Sequence, residues 1–365
     1  MTSGRSILLT GATGLLGRQV LARLLADDPL LHVYVLVRDL ARWSVASVAL
    51  EDVRRVVPVQ GDLRVPELGL APNDHALLCR KLSAIVHLAA DTTFSNSLDR
   101  AREVNTTGTR CVLELGDECA SAIHVAHVST AFVAGRCTGV IAEDPSGGSD
   151  GWVNAYEQSK YEAEQLVRAD AASWVIFRPS TIVCDGIDGR VTQVNAVHRA
   201  LRLLYGGLVA MMPGVAGSTI DVVTTAYVAD AIARLALAES AHGRTVHLCA
   251  GEGALPLVEL LDVTYERWAR DPDWRRRGIA RPALAELATY ALFEQTVEDV
   301  ADASLKRITR ALSHFVPQLA LPKRFVTTNA DTLLGHPAPA VREFWPAMLD
   351  RMVSTRVDAL ARSAA

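Results

Sequence analysis

Residues 6–17 read Ser6-Ile-Leu-Leu-Thr-Gly-Ala-Thr-Gly-Leu-Leu-Gly17. A short apolar run, Ser6–Thr10, ends in a glycine loop. An amphipathic run, Leu15–Ala26, starts directly after it. The spacing G-x-x-G-x-x-G through Gly11, Gly14 and Gly17 suits three tasks: a tight turn, close backbone approach to a pyrophosphate, and close helix–strand packing. The helix that follows offers unpaired N–H groups from its first turn to phosphate oxygens. Strand, glycine loop and helix together predict a dinucleotide-binding βαβ unit. Thr10, Gly11, Thr13, Gly14, Leu15, Leu16 and Gly17 are its candidate contacts.

The pattern continues outward from this unit. Val33–Val37, Val56–Gln60, Ala84–Leu88, His124–Ser129 and Ser173–Phe177 read as further strands. Thr106–Ala120 and Asn154–Ala169 read as helices between them. Strands rich in Val, Ile and Leu that alternate with helices predict a parallel sheet covered on both faces. The expected fold is α/β: a Rossmann-like doubly wound parallel sheet with a smaller, mainly helical C-terminal substrate lobe. We expect the nucleotide domain to span 1–185, with 217–250 returning to it. The lobe is then 186–216 and 251–365. The segment Leu203–Gly217 reads as a lid or a wall of the lobe's pocket.

Composition narrows the classes. The chain has 365 residues, 50% hydrophobic and 21% charged, enough for a large core. Its 37 basic and 41 acidic residues nearly balance, which argues against nucleic acid as a partner. Only four of the basic residues are lysines: Lys81, Lys160, Lys306 and Lys323. Six scattered cysteines form no C-x-x-C pair and no Cys/His cluster in the sequence, so neither a zinc site nor a disulfide framework is expected. No apolar stretch is long enough to span a membrane. A cytoplasmic protein is expected, and oligomeric state is not readable.

An NAD enzyme places an acidic residue at the end of its second strand, to bond the ribose 2′-hydroxyl. Here Val37 is followed by Arg38, with Arg42 one turn later. A guanidinium pairs with a 2′-phosphate, so NADPH is the expected cofactor.

Tyr156-Glu-Gln-Ser-Lys160 sets a tyrosine and a lysine one helical turn apart on one face. A lysine so placed is expected to pull the phenol pKa down and make the tyrosine a usable acid or base. Ser129 and Thr130 close the fifth strand at the edge where doubly wound sheets bind ligands. Either hydroxyl can hold a substrate carbonyl oxygen, and Thr130 is favoured.

TGATGLLG, GDL at 61–63, HLAA at 87–90, NTTGT at 105–109, VST at 128–130, YEQSK at 156–160 and RPS at 178–180 occur in this order. On these motifs the chain resembles the extended short-chain dehydrogenase/reductase family. The resemblance implies that Asp62 and Leu63 lie near the adenine and that Ala89 and Ala90 form a cofactor turn. It also implies that Asn105, Ser129, Pro179, Ser180 and Thr181 belong to the cofactor-binding set, Asn105 mainly as a structural residue. Thr130, Tyr156 and Lys160 match the family's catalytic triad, with Lys160 holding the nicotinamide ribose.

Several segments are similar to the thioester reductase and fatty acyl-CoA reductase branch: LVRD at 36–39, VVPVQGDLRVPELGL at 56–70, AIVHLAADTTF at 84–94 and HVSTAFVAG at 127–135. LPKRFVTTNADTLL at 321–334 resembles a C-terminal segment of fatty acyl reductases, with Val326 where that family has Asp. The branch implies reduction of an acyl thioester, on coenzyme A or a carrier protein, to an aldehyde and in some relatives onward to the alcohol. Ketone or 3-hydroxysteroid-type dehydrogenases, nucleotide-sugar epimerases or dehydratases, and a non-catalytic NADP sensor are the rival readings. The basic run Arg267–Arg281 is either a solvated helix end or a contact for an acidic carrier or for coenzyme A phosphates.

Overall fold

The computed structural model describes residues 5–41, 43, 53–144, 147–215, 217–300, 306 and 316–363. Seven strands form the central sheet: β1 (Ser6–Thr10), β2 (His32–Val37), β3 (Val56–Gln60), β4 (Ala84–His87), β5 (His124–Val128), β6 (Ser173–Pro179) and β7 (Arg244–Leu248). Their order across the sheet is β3-β2-β1-β4-β5-β6-β7, and every pairing is parallel. The order reverses between β1 and β4. That reversal opens the crevice where α/β sheets bind ligands.

Alternate residues of each strand feed two separate cores. Ile7, Leu9, Val33, Val35, Val86, Phe177 and Val246 face one side. There, α1 (Leu15–Asp27) packs against the helix Thr225–Leu235. Leu8, Leu36, Ile85, Val125 and Ile176 face the other side, against Leu78, Val112, Leu115 and Val167. A strand buried on both faces needs apolar residues at every position, which is why these runs do not alternate with polar ones.

Two expected helices differ in their limits. The single helix expected over Thr106–Ala120 begins later, as α3 (Thr107–Asp117), after a distinct α2 (Leu98–Asn105). Thr106 is the joint, because its hydroxyl donates to the Ser159 carbonyl at 3.1 Å. The Ser97 side chain, accepting from Arg100 N, starts α2. The other helix is α4 (Ala155–Asp170). Asn154 stands outside it as the cap, accepting from Glu157 N at 3.0 Å.

Helices Leu257–Trp268, Pro272–Arg276, Leu287–Val300 and Val341–Ser363 follow the sheet in sequence. Short strand pairs stitch this part to the preceding chain. Lys323–Phe325 runs parallel to Gly139–Ile141, and Ala283–Ala285 parallel to Met211–Pro213. Among the described residues no helix is long and apolar enough to cross a membrane.

One ion pair locks α4 to the sheet. Arg178 of β6 donates to both carboxylate oxygens of Glu164, at 2.9 and 2.7 Å, and both side chains are sealed from solvent. Burial alone would raise the Glu164 carboxyl, but Arg178, Ser129 and Arg168 outweigh it and hold the group below its ordinary range. Removing one partner of such a pair strands the other charge. Arg178→Met should therefore lower the urea unfolding free energy by about 3–5 kcal/mol. Glu164→Leu combined with Arg178→Met should recover part of that loss, because only Arg168 then loses an ion-pair partner, and it keeps its bond to Thr245.

Candidate active site

The glycine loop has no room for side chains. Gly11 has φ +77°, and a Cβ there would lie 2.8 Å from the Ala89 nitrogen. A Cβ on Gly17 would collide with the Gly11 carbonyl. The first helical bond runs from Arg18 N to Gly14 O at 3.1 Å, so the amides of Leu15, Leu16 and Gly17 come before it. Thr13 and Gly14 are exposed at the tip. A cradle of free amides without side chains fits a pyrophosphate.

The candidates on the strand ends gather along one edge of the sheet. Thr10 pairs with Leu36 and His87, Val37 with Gln60, His87 with His127, and Val128 with Phe177. Hydrogen bonds tie several of these ends to one another. Ala89 N donates to Thr10 Oγ1 at 3.1 Å, and that hydroxyl meets His87 Nδ1 at 2.7 Å. On the far side of the ring, His87 Nε2 meets Thr109 Oγ1, whose proton goes to the Asn105 carbonyl. The Thr10 hydroxyl is thus occupied inside the fold. Asn105 is occupied as well: its amide bonds both backbone groups of Asp91 and donates to Ser159 Oγ.

Asp62 turns its carboxylate onto Arg64, at 2.6 Å. That hydrogen bond, with a smaller contribution from the charge of Arg38, holds it down at about 2. Arg38 itself is exposed at the end of β2. Neighbouring Asp39 bonds Ala41 N. Leu63 is buried against Gly108, Ala89 and Ala90 are half-buried, and Arg42 lies outside the described residues.

The two hydroxyls at the end of β5 part company. The Thr130 hydroxyl lies close enough to the Tyr156 phenol to lower its pKa, and its Oγ1 accepts from Phe132 N at 3.3 Å. Ser129 faces the other way, toward the Glu164 carboxylate. The Tyr156 ring lies 5.5 Å from the Phe94 ring. Burial pushes its phenol up to about 12, and the nearby Thr130 hydroxyl offsets only part of that.

This corrects the expectation that Lys160 lowers the phenol. The Lys160 ammonium is buried and directed into the sheet, where it donates to Val128 O at 2.8 Å and meets His127 Nε2 at 3.1 Å. Its own pKa falls to about 7 through burial, opposed by Glu164 one turn further along α4. The neighbouring His127 is held well below its usual value, first by burial and then by the charge of Lys160.

Beyond Phe132 opens an apolar cavity of about 110 Å³. Leu204 and Met212 of the 203–217 segment line it, as do Thr181, Leu257, Leu260 and Trp345. Pro179 ends β6, and the Ser180 hydroxyl is turned toward buried Asp221.

The male sterility protein family, a family of NAD-binding domains, matches residues 9–232. The chain belongs to this family. Among curated relatives, a hybrid PKS-NRPS synthetase of Macrophomina phaseolina is 33% identical over 58% of this chain and 5% of its own length. A fatty acyl-CoA reductase-like protein of Drosophila melanogaster is 28% identical over 38% of this chain and 30% of its own. The chain thus spans only a small part of either relative. The solved terminal R domain of the myxalamid PKS-NRPS pathway superposes with a TM-score of 0.79 at 24% identity, covering 98% of this chain and 92% of that one. This member of the male sterility family shares the Rossmann-like fold of that solved domain.

Sequence reasoning missed Phe94, Glu157 and Gln318. Glu157 follows Tyr156 and is buried. Burial raises its carboxyl to about 7, against bonds from Val153 N and Gln318. No local pattern pointed to Gln318, which comes from 161 residues further on. The basic run stays largely exposed but is partly engaged: Arg267 pairs with Asp350, Arg281 with Asp262, and Arg277 bonds the carbonyls of Tyr205 and Gly206. Folding also brings Glu118 to His75 and Cys79, which lie one turn apart on the helix Pro72–Lys81. His75 divides its two nitrogens between the other two, Nδ1 toward Cys79 and Nε2 toward Glu118.

Between pH 7 and its ordinary 10.5, Lys160 is protonated in the unfolded chain but not in the native protein. The unfolded state then binds more protons, so this group makes stability rise with pH across that window and fall on return toward pH 7. The slope for one proton approaches about 1.4 kcal/mol per pH unit. Urea titrations from pH 7 to 10 should show this slope in the wild type and a flatter one in Lys160→Met.

Proposed function

We propose that the protein reduces an acyl thioester, held on coenzyme A or on a carrier protein, to an aldehyde with NADPH. The observation that carries this reading is the Thr130–Tyr156 hydroxyl pair, with Thr130 bonded to Phe132, which lines an apolar cavity suited to a short acyl segment. The family membership and the resemblance to an R domain and an acyl-CoA reductase support it. The nucleotide unit is residues 1–185 with 217–250, and 186–216 with 251–365 make the substrate lobe.

NADPH supplies the hydride that reaches the thioester carbonyl carbon. The amides of Leu15, Leu16 and Gly17 would hold the pyrophosphate, and Arg38 would pair with the 2′-phosphate. Thr130 Oγ1 donates a hydrogen bond to the carbonyl oxygen as negative charge builds on it. Tyr156 then gives that oxygen its proton. A phenol raised to about 12 is fully protonated at neutral pH, as an acid in the reducing direction must be. The resulting hemithioacetal breaks its C–S bond, releasing aldehyde and thiol. Lys160, whose ammonium is directed into the sheet and not toward the ribose expected from the family resemblance, steadies the end of β5 through Val128.

Tyr156→Phe should lower kcat by roughly 10²-fold or more, with NADPH binding by fluorescence titration nearly unchanged. Full turnover in this variant would sink the assignment. With an acyl-CoA or carrier thioester, kcat/KM for NADPH should exceed that for NADH, and Arg38→Ala should erase the difference. An enzyme that prefers NADH refutes the cofactor choice. NADPH oxidation by ketones but by no thioester refutes the substrate class.

A further inference from the structure

The cavity beyond Phe132 is lined mainly by hydrocarbon; of the polar side chains that also line it, Asp221 and Thr264 are bonded to backbone, while Gln318 and Lys323 pair with one another. Lys323 is 6% exposed. Among the described residues its ammonium has one hydrogen bond, to Gln318 Oε1 at 3.0 Å. The Gln318 amide in turn donates to Glu157 Oε1, beside Tyr156. An ammonium carries three donors. Leaving donors unused in an apolar setting is costly, so such a group is expected to meet an acceptor when the cavity fills. Lysine is also scarce in this chain: it occurs four times against the many arginines, and Lys323 is the one that lines this cavity.

Resting on the thioester reading above, we propose that Lys323, aligned by Gln318, binds an acceptor oxygen carried along the substrate's acyl chain. The substrate class is then an acyl thioester with a second carbonyl, ketone or amide, beyond the reacting one, rather than a plain saturated acyl chain. The cavity volume of about 110 Å³ lies below the roughly 150 Å³ that holds a benzene ring, so the chain segment inside is short. A site built around a buried donor rejects the analogue without an acceptor, because the donor is then left unpaired. Glu157 is the acidic group that faces Lys323, and its carboxylate favours the charged ammonium.

The test compares hexanoyl and 5-oxohexanoyl pantetheine thioesters with NADPH, in wild type, Lys323→Met and Gln318→Met. The matching non-reducible amides are titrated calorimetrically against the enzyme with NADPH bound. The wild type should favour the oxo substrate at least tenfold in kcat/KM, mainly through KM, and should bind the oxo amide correspondingly tighter. Lys323→Met should abolish the preference in both readouts, and Gln318→Met should weaken it. A wild type without preference overturns the proposal, as does a Lys323→Met protein that keeps it. If neither thioester is reduced but the amides still show a preference that depends on Lys323, the inference stands and thioester reduction falls. Should Lys323→Met fail to fold, an undiminished preference in Gln318→Met overturns the proposal in its place.

Discussion

The buried carboxylate of Glu164 is the constraint on which the rest of this structure depends. It sits on α4 one turn beyond Lys160, and its charge has no access to water. Arg178 satisfies it from β6 with two hydrogen bonds. Arg168 approaches it from its own helix and reaches on to Thr245 of β7. A buried charge tolerates little displacement, because every separation from its partner must be made in a medium of low dielectric. The pair therefore fixes both the height and the rotation of α4 against β6. Tyr156, Glu157 and Lys160 inherit their positions from it.

The same carboxylate sorts the two hydroxyls at the end of β5. Successive strand residues point to opposite faces, so Ser129 and Thr130 cannot both face the crevice. Ser129 turns to Glu164, which leaves Thr130 for the Tyr156 phenol. Lys160 lies between these groups. Burial weakens its charge, Glu164 restores part of it, and its hydrogen bonds run to β5. In this arrangement the lysine holds a strand end in place, while the acidity of the phenol is governed by its own desolvation and by Thr130.

Much of this was legible in the sequence. The apolar runs located β1 to β6, because parallel strands buried on both faces leave little room for polar residues. Gly11 and Gly17 marked the crevice, since any Cβ would strike backbone there. Thr130 and Tyr156 were legible as a pair through strand-end position and helical spacing. The separate α2 was missed, as its limits depend on the Thr106 contact with Ser159. Glu157 and Gln318 were missed because they meet across 161 residues of chain.

By itself, the sequence determined the βαβ unit, the glycine cradle and the pairing of Tyr156 with Lys160 on one helix face, all consequences of local periodicity and backbone sterics. Tertiary structure alone decided what those residues experience. It directed Lys160 into the sheet, turned Ser129 to Glu164, and brought Lys323 and Gln318 to the cavity beside Glu157. Burial and the direction of a side chain depend on neighbours far along the chain, and no local pattern encodes them.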